Sequence, residues 1–105
     1  MEFVNRVEIQ GRVGTIKLNV CFDRIVATIS VETETIVNEY SVPCVERTWH
    51  QVTAVEGDKT KCLADVFKGT NVRVVGRIRQ MRYTSASGEE KVFHEIVADE
   101  LAIIE

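Results

Sequence analysis

The sequence predicts an all-β domain, a five-stranded barrel with Greek-key connections and one short helix between the third and fourth strands. Three observations predict it. Apolar and polar residues alternate with a period of two in several segments, one segment alone has helical character, and glycines interrupt a long first strand. The chain has 105 residues, of which 45% are hydrophobic, and this suits a single domain over residues 1–105 with one small core.

Alternation defines the first strand, where Phe3, Val7 and Ile9 share one side, and Gly11 and Gly14 then indicate a bulge or a sharp bend. The other predicted elements are, in chain order, a second strand at 25–31, a turn at 38–39, a third strand over 40–56, a helix over 58–67, a fourth strand over 71–83, the hairpin loop SASGEEK and a fifth strand over 92–104. A first strand bent at glycine lets one sheet curl on itself, and this order of elements is that of the OB-fold. A simple β-sandwich is the competing layout, and the position of the helix argues against it.

The composition excludes several classes of protein. Three cysteines, at 21, 44 and 62, are odd in number, far apart and without a CxxC motif, so we expect no zinc site, no other cofactor, and buried or half-buried thiols in a reducing compartment. The opening MEFVNRVE carries charges where a signal peptide needs an apolar run, and no apolar segment is long enough to span a membrane. We therefore expect a cytoplasmic protein.

The single tryptophan, Trp49, is the first candidate for a binding residue. Val52 and Ala54 share the core-facing side of the third strand, which places Trp49, Gln51 and Val55 on the opposite side. A tryptophan facing away from a core can stack on a base, although packing under a loop or at a subunit contact would also account for it.

A basic ridge on the fourth strand is the second candidate. Between residues 66 and 88 the chain has no Asp or Glu, and the side of the strand opposite the core carries Arg73, Arg77, Arg79, Met81 and Tyr83. Arginine pairs with phosphates and stacks on bases, while arginines on an exposed strand are also used simply to solvate an edge. The shared sidedness of these groups and the Trp49 face favours a nucleic acid, with sequence-tolerant stacking and phosphate contacts.

Three segments resemble bacterial single-stranded DNA-binding proteins, an OB-fold family. They are VNRVEIQGRVG at the start, TWHQV in the third strand, and VFKGTNVRVVGRIRQMRYTSASGEEKVFHEIVADEL from residue 66 onward. The resemblance implies binding of single-stranded DNA without strong sequence preference, in DNA replication, recombination or repair. It also implies that Trp49 and Tyr83 stack on bases. Two further stacking positions of the family fall near Val55 and near 36–37, where this chain has no aromatic residue.

The resemblance also bears on assembly. Members of the family are usually homotetramers, and His50 matches a histidine near their subunit contact. The exposed first strand offers an edge for pairing, so we predict a homotetramer or homodimer with contacts through Asn5, Arg6, Glu8, Gln10 and His50. The family generally carries an acidic C-terminal tail that recruits replication proteins, and the sequence given stops at LAIIE. Primosomal replication proteins, usually dimeric OB-folds without a tail, are the alternative; an oligosaccharide-binding or purely structural OB-fold is a third.

Enzymatic motifs are incomplete. HEIVADE lacks the second histidine of a zincin, and GRVGTIK lacks the spacing of a phosphate-binding loop. Cys44 and His50 are six residues apart on a strand, at ~3.3 Å per residue, too far for a nucleophile and its base. We therefore predict a binding protein and not an enzyme.

Overall fold

The computed structural model describes residues 1–104 as a closed antiparallel barrel with one parallel strand pair. The chain forms β1 (Val7–Cys21), β2 (Arg24–Glu39), β3 (Val42–Val55), a 3₁₀ helix (Asp58–Asp65), β4 (Asn71–Thr84) and β5 (Glu90–Ile103). The strand order around the barrel is β1-β2-β3-β5-β4. This is the predicted OB-fold, with the helix between β3 and β4.

The core lies inside the barrel and follows the predicted alternation. Its largest fully buried side chains are Val13, Ile29, Val31, Val52, Val72 and Val74. The register of β1 against β2 shifts between Val13 and Thr15, which places the expected bulge at Gly14. The parallel contact of β3 with β5 is short, since it pairs only Val52–Ala54 with residues 96–98.

Two strand pairs continue beyond the core as hairpins. The β2–β3 pair extends without a break to a turn at Tyr40 and Ser41, two residues later than predicted, and residues 42–49 are all exposed. The β4–β5 pair likewise continues to Thr84 and Glu90. Cys44 lies on the β2–β3 extension and Cys21 ends β1, and both are exposed, so the expectation of buried or half-buried thiols holds only for Cys62.

The N-terminal segment is joined to β4 by one side chain. Asn5 Nδ2 donates to the Ile78 carbonyl (2.8 Å), and the Ile78 amide donates to Asn5 Oδ1 (2.9 Å), so the carboxamide takes the place of a paired backbone unit. Within residues 1–104 no helix is long and apolar enough to cross a membrane.

Candidate nucleic-acid interface

Trp49 stands on the outside of the barrel, on the side of β3 that the alternation predicts. Val52 and Ala54 are fully buried, while Trp49 is 58% exposed and pairs with Glu32 of β2. One side of the indole borders a groove of about 430 Å³ lined by Thr15, Thr28, Ser30 and Gln51, among others. The floor is therefore polar beside an aromatic wall, which suits a stacked base with its hydrogen-bonding edge against hydroxyl and amide groups.

A lysine that sequence reasoning left out of the site lies on another side of the same indole. Lys68 lines a second groove, of about 410 Å³, with Gly14, Thr15, Ser30 and Trp49. Its loop is held against β1 because the Gly69 amide donates to the Val13 carbonyl (2.8 Å) and the Val13 amide donates to the Thr70 carbonyl (2.9 Å). Among the described residues no carboxylate pairs with Lys68.

The arginines of the predicted ridge are not free cations. Strands β1 and β5 bring carboxylates beside each of them, as the pairs Arg73–Glu8, Arg77–Asp99 and Arg79–Glu95, and Arg82, on the other side of β4, likewise pairs with Glu90. The segregation of charge along the sequence is therefore offset in space by cross-strand partners. The hydrogen bond from Arg73, which is the largest cause, lowers the pKa of Glu8 below its usual range.

Closure of the barrel also separates Arg73, at one end of the ridge, from the Trp49 face. Arg73 lies where β4 pairs with β1 and lines a groove with Lys59, Val75 and Glu100. None of the three grooves that Trp49 lines includes Arg73, and two of them are formed mainly by β1, β2 and β3. Outward-facing residues of a closed barrel point in different directions around it, so alternation alone cannot place Arg73 beside Trp49.

Arg79 is the ridge arginine that reaches the Trp49 side. Its guanidinium bonds to Glu95, which also accepts a hydrogen bond from Thr53 Oγ1 on β3 (2.9 Å). Glu95 in turn lines a groove of about 270 Å³ with Trp49 and Gln51. The β3 face and Arg79 are thus connected through one carboxylate.

Tyr83 forms part of an aromatic pair on the β4–β5 hairpin. Its ring meets that of Phe93 edge to face, with centroids 5.9 Å apart and an interplanar angle of 64°. Met81 pairs with Phe93 across the strands, and Tyr83 and Phe93 are both partly exposed. Phe93 was not predicted as a site residue, because its place beside Met81 and Tyr83 depends on the register of β4 against β5.

The two family stacking positions without an aromatic residue carry exposed aliphatic groups. Val55 ends β3 on the Trp49 side and is 39% exposed. Ile36 pairs directly with Val45 on the β2–β3 hairpin, and both are exposed on that same side. These positions offer apolar contact without a ring face.

The predicted oligomer contacts lie along β1 and at His50. Residues 7–11 of β1 pair with β4 alone, and Glu8 and Gln10 are exposed there. Arg6, just before β1, is also exposed, while Asn5 is engaged with Ile78. His50 is half-buried with Nε2 2.9 Å from Thr33 Oγ1, and burial lowers its pKa.

These features define a class of protein. An OB-fold whose outer face carries an exposed tryptophan between grooves, with cations nearby, is a module for single-stranded nucleic acid. The chain belongs to the single-strand binding protein family, whose sequence model matches residues 4–104. The resemblance seen in the sequence is thus confirmed, and the chain is a single-stranded DNA-binding protein of a non-enzymatic family.

Comparison with solved structures supports the fold. The structure is similar to that of the Plasmodium falciparum SSB complex with ssDNA, with a TM-score of 0.88 and 18% sequence identity over 100% of this chain and 98% of that chain. A search of curated protein sequences gives no match.

Proposed function

We propose that the chain binds single-stranded DNA with little sequence preference, by stacking bases on Trp49 and neutralising phosphates with the cations around it. The observation that carries the proposal is the position of Trp49, more than half exposed and bordered by grooves on several sides. A base stacked there would place its flanking phosphates towards Lys68 on one side and Arg79 on the other. This binding would serve DNA replication, recombination or repair in the bacterial cytoplasm.

The remaining predicted residues would contact DNA beyond Trp49, Lys68 and Arg79, and their expected contributions differ. Gln51 supplies an amide on the groove floor, and Val55 supplies apolar contact. On the β4–β5 hairpin, Met81 and the Tyr83–Phe93 pair form a second surface on which a base can lie. Arg73 and Arg77 act through phosphates only when these displace Glu8 and Asp99.

We also propose a homo-oligomer, a homotetramer or a homodimer. The support is the open edge of β1 over residues 7–11, beside the exposed N-terminal residues Phe3 and Val4. Light scattering at micromolar concentration checks this, and a monomer of 11.9 kDa would contradict it.

A fluorescence titration tests the binding mode. The protein has one tryptophan, so quenching by an oligo-dT strand reports on Trp49 without ambiguity. Each phosphate neutralised contributes about −0.7 to the slope of log K against log salt. If Arg73, Arg77 and Arg79 all bind phosphates, the slope should be about −2 or steeper. A flat salt response would contradict the phosphate contacts, equal affinity for blunt duplex would contradict single-strand preference, and unchanged emission would contradict stacking on Trp49.

A further inference from the structure

We propose that Glu95 is a positioning residue for DNA binding: its buried carboxylate holds the Arg79 guanidinium in the orientation that meets a phosphate beside the Trp49 face. This deepens the proposed function and rests on it. A carboxylate at a DNA site is unexpected, because its charge repels phosphates. Its burial and its bonds give it a different role.

The carboxylate is bonded on both oxygens. Glu95 is 6% exposed although it lies on the outward side of β5, directly opposite Arg79. Its Oε1 accepts from Arg79 Nε (3.0 Å) and Nη2, and its Oε2 accepts from Thr53 Oγ1 (2.9 Å). The guanidinium is therefore held along one edge by a group that cannot itself rotate away.

Arg79 keeps donors for a ligand. A guanidinium has five N–H donors in a planar fork, and only one edge of it faces Glu95. The Arg79 side chain is still 43% exposed. Its remaining donors are thus presented to solvent in a fixed plane, which is how arginine recognises a phosphate through paired hydrogen bonds.

The neighbouring arginines lack such an anchor. Arg77 meets Asp99 at 3.3 Å and Arg82 meets Glu90 at 3.4 Å, with side chains between 49% and 66% exposed. Exposed pairs with one long contact are weak and leave both side chains mobile. Arg79 alone among these three is fixed before DNA arrives, and a group ordered in advance loses less entropy on binding.

The anchor also connects the two parts of the site. Thr53 lies on the Trp49 side of β3 and is the middle residue of the three-residue contact that joins β3 to β5. Glu95 lines the same groove as Trp49 and Gln51. Through this carboxylate the plane of the Arg79 guanidinium is set relative to the stacking face.

Whether Glu95→Gln weakens or strengthens DNA binding distinguishes a positioning role from simple charge repulsion. We expect Glu95→Gln to bind oligo-dT about 3- to 10-fold more weakly, with a salt slope shallower by up to about 0.7, because one oriented phosphate contact is lost. The matched variant Asp99→Asn removes the same charge from a loose pair and should bind equally or more tightly. Glu95→Gln binding as tightly as wild type, or more tightly, would overturn the proposal.

A second variant and a double mutant keep the test independent of folding. Arg79→Lys retains the charge but not the planar fork, so it should lose affinity about as Glu95→Gln does. In an Arg79→Ala background, Glu95→Gln should cause no further loss. Wild-type affinity of Arg79→Lys, or an undiminished effect of Glu95→Gln without Arg79, would refute positioning, with folding checked by thermal denaturation. A wild-type protein without salt-sensitive binding would instead refute the proposed function.

Discussion

The indole of Trp49 lies directly against Gly14. A Cβ added to Gly14 would be 2.5 Å from Trp49 Cζ3 and 2.7 Å from Cη2, closer than atoms can approach. Gly14 is also the residue at which the register of β1 shifts. The glycine at this bulge thus lets the ring lie close to the backbone of β1, which supports it while it remains more than half exposed.

We expect Gly14→Ala to displace the ring. The added methyl group needs the space that the indole occupies, so oligo-dT binding should weaken and the emission of the free protein should change, with a stability loss of ~1–3 kcal/mol at most. Gly57→Ala is the control, because the nearest atoms to its added Cβ are 3.9 Å away. Unchanged affinity and emission in Gly14→Ala would show that Gly14 does not set the ring position.

Trp49→Ala should weaken binding and largely spare the fold. Loss of one base-stacking ring costs ~1–3 kcal/mol of binding free energy. The core variant Ile29→Ala, at a fully buried site, should instead cost ~2–5 kcal/mol of unfolding free energy while its folded fraction still binds. Denaturant titration and fluorescence anisotropy with a labelled strand measure the two effects; the reverse pattern would make Trp49 a packing residue.

The fold was predictable because the core imposes a period of two. Val72 and Val74 alternate with exposed neighbours, and Val52 and Ala54 likewise mark the inner side of β3. The pattern fails on the hairpin beyond the core, where the run ETETIVNE was not assigned to a strand. Both sides of that hairpin face solvent for most of its length, so no alternation is required and β2 continues eight residues past the predicted end, from Val31 to Glu39.

The electrostatics of the site could not be predicted from the sequence. Whether Arg73 faces Glu8, or Arg79 faces Glu95, depends on strand register and on which strands become neighbours when the barrel closes. Lys68 was counted in the basic stretch, but its position beside Trp49 depends on the hydrogen bonds that hold its loop to β1. Such contacts join residues far apart in the chain, and a single sequence does not encode them locally.

Lys68→Ala should reduce both affinity and salt dependence. Lys68 lies beside Trp49 with no carboxylate partner among the described residues, so removing it should make the salt slope shallower by about 0.7 and weaken binding several-fold at low salt. Lys61→Ala removes the same charge from an exposed position on the 3₁₀ helix and should have a smaller effect. Equal effects of the two substitutions would mean that Lys68 acts only through net charge.

Phe93→Ala should weaken DNA binding through Tyr83. The edge-to-face contact holds the Tyr83 ring, and such a pair contributes ~0.5–1.5 kcal/mol beyond its buried area. Phe93→Ala should therefore give part of the loss seen in Tyr83→Ala, and the double variant should lose less than the sum. Phe22→Ala removes an exposed ring from the β1–β2 turn and serves as the control. Strict additivity of the Tyr83 and Phe93 effects would exclude the coupling.

His50 should make the stability of the protein depend on pH near neutrality. Burial lowers its pKa, so the unfolded chain takes up the proton at a higher pH, near the ordinary histidine pKa of 6.5, than the folded chain does. The stability that the neutral His50 contributes is therefore complete above that pH, and it is lost as the pH falls through the lower pKa of the folded protein. We expect the free energy of unfolding, measured at fixed protein concentration, to decline from pH 7.5 to about 5.5 in wild type and less in His50→Gln, whose amide can still bond to Thr33. If His50→Gln shows the full wild-type decline, the pH dependence of the unfolding free energy arises from other groups and not from the burial of His50.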